Sequence, residues 1–341
     1  MLKLSEKERK ILEELDLDSR QSDSKIAKKV GLSKQVVNYK IQKLIKQEII
    51  SNFYSVLNVG CLGYNSFYVF FQLQKITQGK DNEFMNYLKN QPDLGWLVSC
   101  TGKWDFICLI YAKSQTDFSS LLNKILLKYD ENILEYEFTT LLEAEHISYK
   151  SISKSINKPI KQTVKQENVS LTKIQINLLK AISQEARISI VNLSSNLKEK
   201  IYVVSYLLKK LIKKKVIVGF KPKLNLSLLG IQWYLLLIRF QPISEKRKNR
   251  FIQFCKSNKK IYYLTSTLGT YNLMLDIHVK DAREYKKVLF EIKEKFSDCV
   301  KFYETNIIFD EYKISYVPNL DQEKLPSKKP STNALKETFL N

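Results

Sequence analysis

A chain of 341 residues is too long for one ordinary domain, and 44% hydrophobic residues let each of several units bury a core. Its 56 Lys and Arg against 35 Asp and Glu leave a formal charge of +21, which favours a polyanion such as nucleic acid over a lysine-heavy surface that merely faces water. Five cysteines without a CxxC pair argue against a disulfide framework. The polar start and the short apolar run at 231–238 argue against a signal peptide and a membrane span, so a cytoplasmic protein is expected.

The first elements read as helices. Residues 5–15 are amphipathic with Ile11, Leu12 and Leu15 inward, and Ser5 and Glu8 have capping-box spacing. A short helix at 24–30 leads into the turn Gly31-Leu32-Ser33, where Ser33 is placed to cap the next helix. In that helix Val37, Ile41, Leu44 and Ile45 share one face, and Lys34, Gln35, Asn38 and Gln42 the other. A short helix, a tight turn and a longer basic helix make a helix-turn-helix pattern. The period then changes, and residues 49–59 read as a strand or wing.

Residues 66–74 alternate and are rich in aromatics, so they read as a strand. A helix at 81–90 follows, then strands at 94–100 and 105–112 joined by the turn Thr101-Gly102-Lys103-Trp104. A helix at 115–129 and a strand at 133–142 complete a βαββαβ order, the ferredoxin-like split motif. Such a sheet carries helices on one face, and its other face needs a partner.

The whole pattern occurs twice. Leu4 matches Leu171, 167 residues on, and the same offset pairs Arg20 with Arg187, Tyr39 with Tyr206, Asn58 with Asn225, Gly63 with Gly230, Gly102 with Gly269, and Ser148-Tyr149 with Ser315-Tyr316. No gap is needed. The fold class is therefore α+β, a tandem repeat of a winged-helix-like helix-turn-helix domain plus a ferredoxin-like domain. The boundaries read as helix-turn-helix 1–58, ferredoxin-like 59–149, basic linker 150–170, divergent helix-turn-helix 171–225, ferredoxin-like 226–317 and a disordered tail 318–341.

The Gly31-Leu32-Ser33 turn, the run from Val37 to Leu44 followed by Ile49-Ile50, and the Gly102-Lys103-Trp104-Asp105 turn, in this order, resemble the Lrp/AsnC (feast/famine) transcription regulators. The resemblance covers residues 4–149 and again 171–316. It implies double-stranded DNA as partner, an amino acid or similar effector, and dimerisation through the ferredoxin-like domain. Since the unit is doubled, closure falls either within one chain, as a pseudo-dimer, or between chains. The sequence departs from the family at Lys40 and Leu207, where arginine is usual, and at Glu48 and Lys215, where glycine is usual. Lys198-Glu199-Lys200 replaces the Gly-Leu-Ser turn in the second copy.

Asn and Gln can make paired bonds to adenine in the major groove, so Gln35, Asn38 and Gln42 are candidate base readers. Lys34, Lys40, Lys43 and Lys46 are candidate phosphate contacts. Tyr39 could touch phosphate or pack, and its recurrence as Tyr206 favours packing. In the second copy Ile201, Tyr202 and Ser205 offer little to base edges, whereas Lys209, Lys210, Lys213 and Lys214 suit the backbone. The expectation is a division of labour across two units about 34 Å apart. The resemblance also places an effector near Gly102, Asp105, Gly269 and Asn272, although hairpin-turn chemistry alone explains those residues.

Two other classes compete. Siroheme decarboxylases share this architecture but need histidines and arginines converging on tetrapyrrole carboxylates; here His146 and His278 occupy non-equivalent places and Arg239, Arg247 and Arg250 are the only arginine cluster. An architectural DNA-compacting protein would fit the charge. No P-loop, G-x-S-x-G or metal-spaced cluster occurs, so no enzyme, cofactor or metal is expected.

Overall fold

The computed structural model describes residues 2–75, 77–147, 149, 160–163 and 169–320. Each copy opens with three helices. They are α1 (Glu6–Leu17), α2 (Asp23–Val30) and α3 (Lys34–Lys46) in the first copy. Strand β1 (Ile50–Leu57) follows. Ser5 and Glu8 form the capping box, and Ser33 caps α3 by accepting from Val36 N. Gly31 ends α2 in the left-handed conformation (φ 63°), which a residue without Cβ adopts freely.

The ferredoxin-like part of the first copy comprises β2 (Asn65–Leu73), α4 (Gln78–Lys89), β3 (Leu94–Thr101), β4 (Phe106–Ala112), α5 (Gln115–Lys128) and β5 (Ile133–His146). A short strand, β6 (Ile160–Thr163), then pairs with the end of β5, inside the stretch that reads only as a basic linker. The second copy contributes α6 (Lys173–Gln184), α7 (Ile190–Leu197), α8 (Ile201–Lys213) and β7 (Ile217–Leu224). It continues with β8 (Gln232–Phe240), α9 (Glu245–Ser257), β9 (Ile261–Gly269), β10 (Leu273–Val279), α10 (Ala282–Phe296) and β11 (Val300–Ile314). Residues 150–159 and 164–168 of the linker, and the tail from residue 321, lie outside the described residues. The tail's first residues are docked: Leu320 is buried and Tyr64 Oη donates to Asn319 O.

The strand after each helix-turn-helix is not a free wing. β1 and β7 pair antiparallel into one ribbon that joins the two head units. The contacts are reciprocal. Arg20 donates to Ala186 O and Arg187 to Ser19 O, while each guanidinium covers the other copy's ring, Phe220 or Phe53. One feature is one-sided. Lys221 of β7 and Asp16 of α1 form an ion pair at 2.9 Å, both almost fully buried, and Asp16 Oδ2 also accepts from Tyr149 N.

The two sheets meet edge to edge. In the first the order is β5-β2-β4-β3, in the second β11-β8-β10-β9, with seams β3–β11 and β5–β9. Eight strands thus close into a ring, which removes free edges and gives the uncovered sheet faces each other as partners. The period of 2 sorts β2: Phe67, Val69 and Phe71 pack under α4 and α5, whereas Tyr68 and Phe70 point to the interior. β5 runs four residues past its expected end because those residues pair with β6 and β9.

Gly102 and Gly269 sit at the two seams with φ of 144° and 137°. A Cβ on Gly102 would lie 2.5 Å from Thr305 O, so the strands can approach only over glycine. Between the seams Trp104 Nε1 donates to Tyr271 Oη at 3.0 Å, a contact between two residues that are each other's counterparts.

Candidate nucleic-acid interface

Helix α3 buries Val37, Ile41 and Leu44 against its own unit. Ile45, expected inward, is 37% exposed at the margin. The outer stripe comprises Gln35, Tyr39, Gln42 and Lys46, spaced so that all four share one face. Gln35, Gln42 and Lys46 have no side-chain hydrogen bond or ion pair among the described residues, and Lys34 is exposed at the helix start. Tyr39 is 68% exposed, against the expectation of packing; it repeats as Tyr206 because the outer stripe repeats.

Three expected contacts are placed differently. Lys40 and Lys43 turn back to α1, where both pair with Glu8, at 3.6 and 3.1 Å. Burial raises the Glu8 carboxyl, but Ser5 and these two cations outweigh it and hold the group down at about 2. Asn38 Nδ2 donates to Asp23 Oδ2 at 2.9 Å, which fixes the angle between α2 and α3. A one-face helix projection could not separate these side chains from the outer stripe, because their partners come from other helices.

Helix α8 carries the equivalent stripe: Tyr202, Tyr206, Lys209 and Lys213 stand where α3 has Gln35, Tyr39, Gln42 and Lys46. Tyr202 and Tyr206 are 69% and 62% exposed. Lys209, Lys213 and Lys214 are exposed, and Lys210 lies with its ammonium 5.8 Å from the Tyr206 ring centroid. Lys210 corresponds to Lys43, but the second copy has Gln175 in place of Glu8, so the cation is not drawn back. The turn keeps its shape without its chemistry. Lys198 adopts φ 53° where Gly31 stands, and Lys200 caps α8 with no side-chain bond where Ser33 has one. Glu48 and Lys215 both hold φ 56°, the left-handed geometry of the family's glycine.

The turns expected to hold an effector are built into the sheets. Asp105 Oδ2 accepts from Leu73 N at 2.7 Å and Asn272 Oδ1 from Phe240 N at 2.9 Å, the same bond in both copies. Asp105 is thus committed to tying β2, and Gly102 and Gly269 serve the seams. The structure gives none of the four a ligand-facing role.

The two histidines, remote by repeat position, converge. His146 and His278 line one cavity of about 690 Å³, bounded by inner barrel faces and by Tyr54, Lys223 and Leu224 of the ribbon. Tyr316 Oη and His146 Nε2 are 3.0 Å apart. Burial lowers both imidazoles, His278 to about 3, so both are neutral.

Residues 4–51 match the family model described as winged helix-turn-helix DNA-binding. The HTH-type transcriptional regulator FL11 of Pyrococcus furiosus is 28% identical over 122 residues, 36% of this chain and 80% of that one. The HTH-type transcriptional regulator Ptr1 of Methanocaldococcus jannaschii is 28% identical over 104 residues, 30% and 69% of the two chains. Among solved structures, the siroheme decarboxylase NirDL superposes with a TM-score of 0.61 at 14% identity over 92% of this chain and 94% of that one, a likeness of fold. The first head unit thus matches a winged helix-turn-helix DNA-binding domain, and about a third of the chain is similar to HTH-type transcriptional regulators. The whole two-part unit, head and ferredoxin-like sheet, is present twice in one chain.

Proposed function

We propose that this chain is a DNA-binding transcription regulator of the Lrp/AsnC type that docks both head units on one duplex, with α3 reading bases and α8 holding the backbone. The observation that carries the reading is the pair of outward stripes at equivalent positions, amides and a lysine on α3, lysines and tyrosines on α8. Gln35 and Gln42 take adenine edges, while Lys34, Lys46, Lys209, Lys210, Lys213 and Lys214 lie at phosphates. The β1–β7 ribbon sets the spacing of the heads, so one chain supplies what a dimer usually supplies. The protein acts where the genome is, in the cytoplasm, and its chemistry is binding rather than catalysis. Titrating the full chain into duplex DNA at several salt concentrations tests the interface. Neutralising roughly 4–8 phosphates gives a log–log slope near −4 to −7; a slope near zero contradicts it.

One observation favours an enzyme of the siroheme decarboxylase kind: the shared cavity of His146 and His278. Its charge opposes that reading. Among the described residues the lining offers one cation, Lys223, against Asp276, Asp310 and Glu311, the wrong balance for a polycarboxylate. A Soret band on mixing with siroheme would support the enzyme.

A further inference from the structure

The same cavity has features that DNA binding does not use. Its lining combines aromatic faces with buried acid. Trp96 and Trp233 lie 6.1 Å apart, and each indole N–H donates to a carboxylate, Trp96 to Glu311 at 2.8 Å and Trp233 to Asp276 at 2.6 Å. Glu311 is balanced by Lys223 at 3.2 Å. Asp276 is 5% exposed and has no ion-pair partner among the described residues. Burial, with Glu311 nearby, lifts its carboxyl to about 7 against the Trp233 bond. His278 lies two residues on, 2% exposed, and neither ring nitrogen has a partner among the described residues. Tyr262 stacks on its ring at 4.9 Å.

A buried carboxylate without a counter-ion costs free energy unless a cation reaches it. Aromatic faces attract cations through their ring quadrupoles, most strongly where water is excluded. The volume is that of a drug-sized pocket. The acid belongs to the second copy alone, since Asp276 corresponds to Leu109 and His278 to Tyr111. In a protein of charge +21, a cavity whose described lining carries more carboxylate than cation is a local reversal of sign.

We propose that the cavity between the two halves binds an organic cation with aromatic or bulky apolar groups, held by Asp276 and the surrounding indole and phenol faces. The ammonium or equivalent charge sits at Asp276, the apolar groups lie against Trp96 and Trp233, and His278 accepts or donates at the ligand's polar edge. This site is independent of the DNA interface, so its test uses protein without DNA. Tetraphenylphosphonium and tetraphenylborate share one four-ring shape with opposite charge. Each is titrated into the full chain by calorimetry in 0.3 M NaCl, with indole emission followed in parallel. The wild type should bind the phosphonium one to one, at least tenfold tighter than the borate, with quenched emission. Asp276→Asn, checked for folding by circular dichroism, should weaken the phosphonium at least tenfold and leave the borate unchanged. Absence of phosphonium binding, equal or tighter borate binding, or a folded Asp276→Asn protein with unchanged phosphonium affinity would each overturn the proposal. The wild-type charge preference decides the matter even if the variant does not fold.

Discussion

The two head units share a backbone and differ in chemistry. Both have the turn, the same left-handed residues and the same outward stripe. The first has a glycine, a serine cap and an acid, Glu8, that draws two lysines away from the outer surface. The second has lysine at the turn, no side-chain cap and an amide in place of the acid. In the first copy charge is spent on internal order and amides are left outside; in the second, charge stays outside and the helix start is less well held. Tandem duplication allows this, because a symmetric dimer must use one surface for both tasks.

The largest expected effect concerns what joins the heads. The Lys221–Asp16 pair occurs at one of two equivalent junctions, with Tyr54 and Ser183 at the other. Lys221→Ala leaves a buried carboxylate unpaired and should cost about 3–5 kcal/mol, read by denaturant unfolding. Ser183→Ala at the opposite junction should cost much less. Equal losses would show that the asymmetry has no energetic weight.

Next comes base reading. Gln35→Ala and Gln42→Ala should each remove about 1–3 kcal/mol of discrimination between preferred and random duplexes, with little change on random DNA. Lys209→Ala with Lys213→Ala should weaken all sequences alike and reduce the salt slope by about 2. If the glutamine variants lower binding uniformly and the lysine variants change sequence preference, the assignment of tasks is reversed.

A smaller effect separates the heads by pH. The Glu8 carboxyl is held at about 2, below its ordinary value near 4.5. A depressed acid contributes stability that is complete above the unfolded value and is lost as pH falls through the folded one. The first head should therefore loosen between about pH 4.5 and 2, and Glu8→Gln should flatten that dependence, seen in amide exchange of α1 and α3. The second head has the non-titrating Gln175 at this position and should not show this dependence. The smallest change is Lys198→Gly, which relieves a left-handed lysine and should raise stability by about 0.5–1 kcal/mol in thermal unfolding.

Much of this was legible in the residues. The period of 3.6 in α1 to α3, the period of 2 in β2 and the ungapped repeat specify every element of the ferredoxin-like unit and its doubling. Long-range partners were not legible. Nothing local says that residues 50–57 pair with 217–224, or that Lys40 and Lys43 turn to Glu8, because such contacts depend on which faces of remote elements meet. Tyr39 is exposed where packing is expected for a related reason: recurrence marks whatever the fold repeats, exposed stripe as well as core. The cavity leaves no local signal, since His146 and His278 share no repeat position and only ring closure of the two sheets brings them together.

The division between the heads is tested most directly by selecting binding sites for the full chain from randomised duplex DNA. The expected outcome is one strongly specified half-site with a weakly specified neighbour about one helical turn, ~10 base pairs, away. Two equally specified, symmetric half-sites, or no enrichment at all, would contradict it.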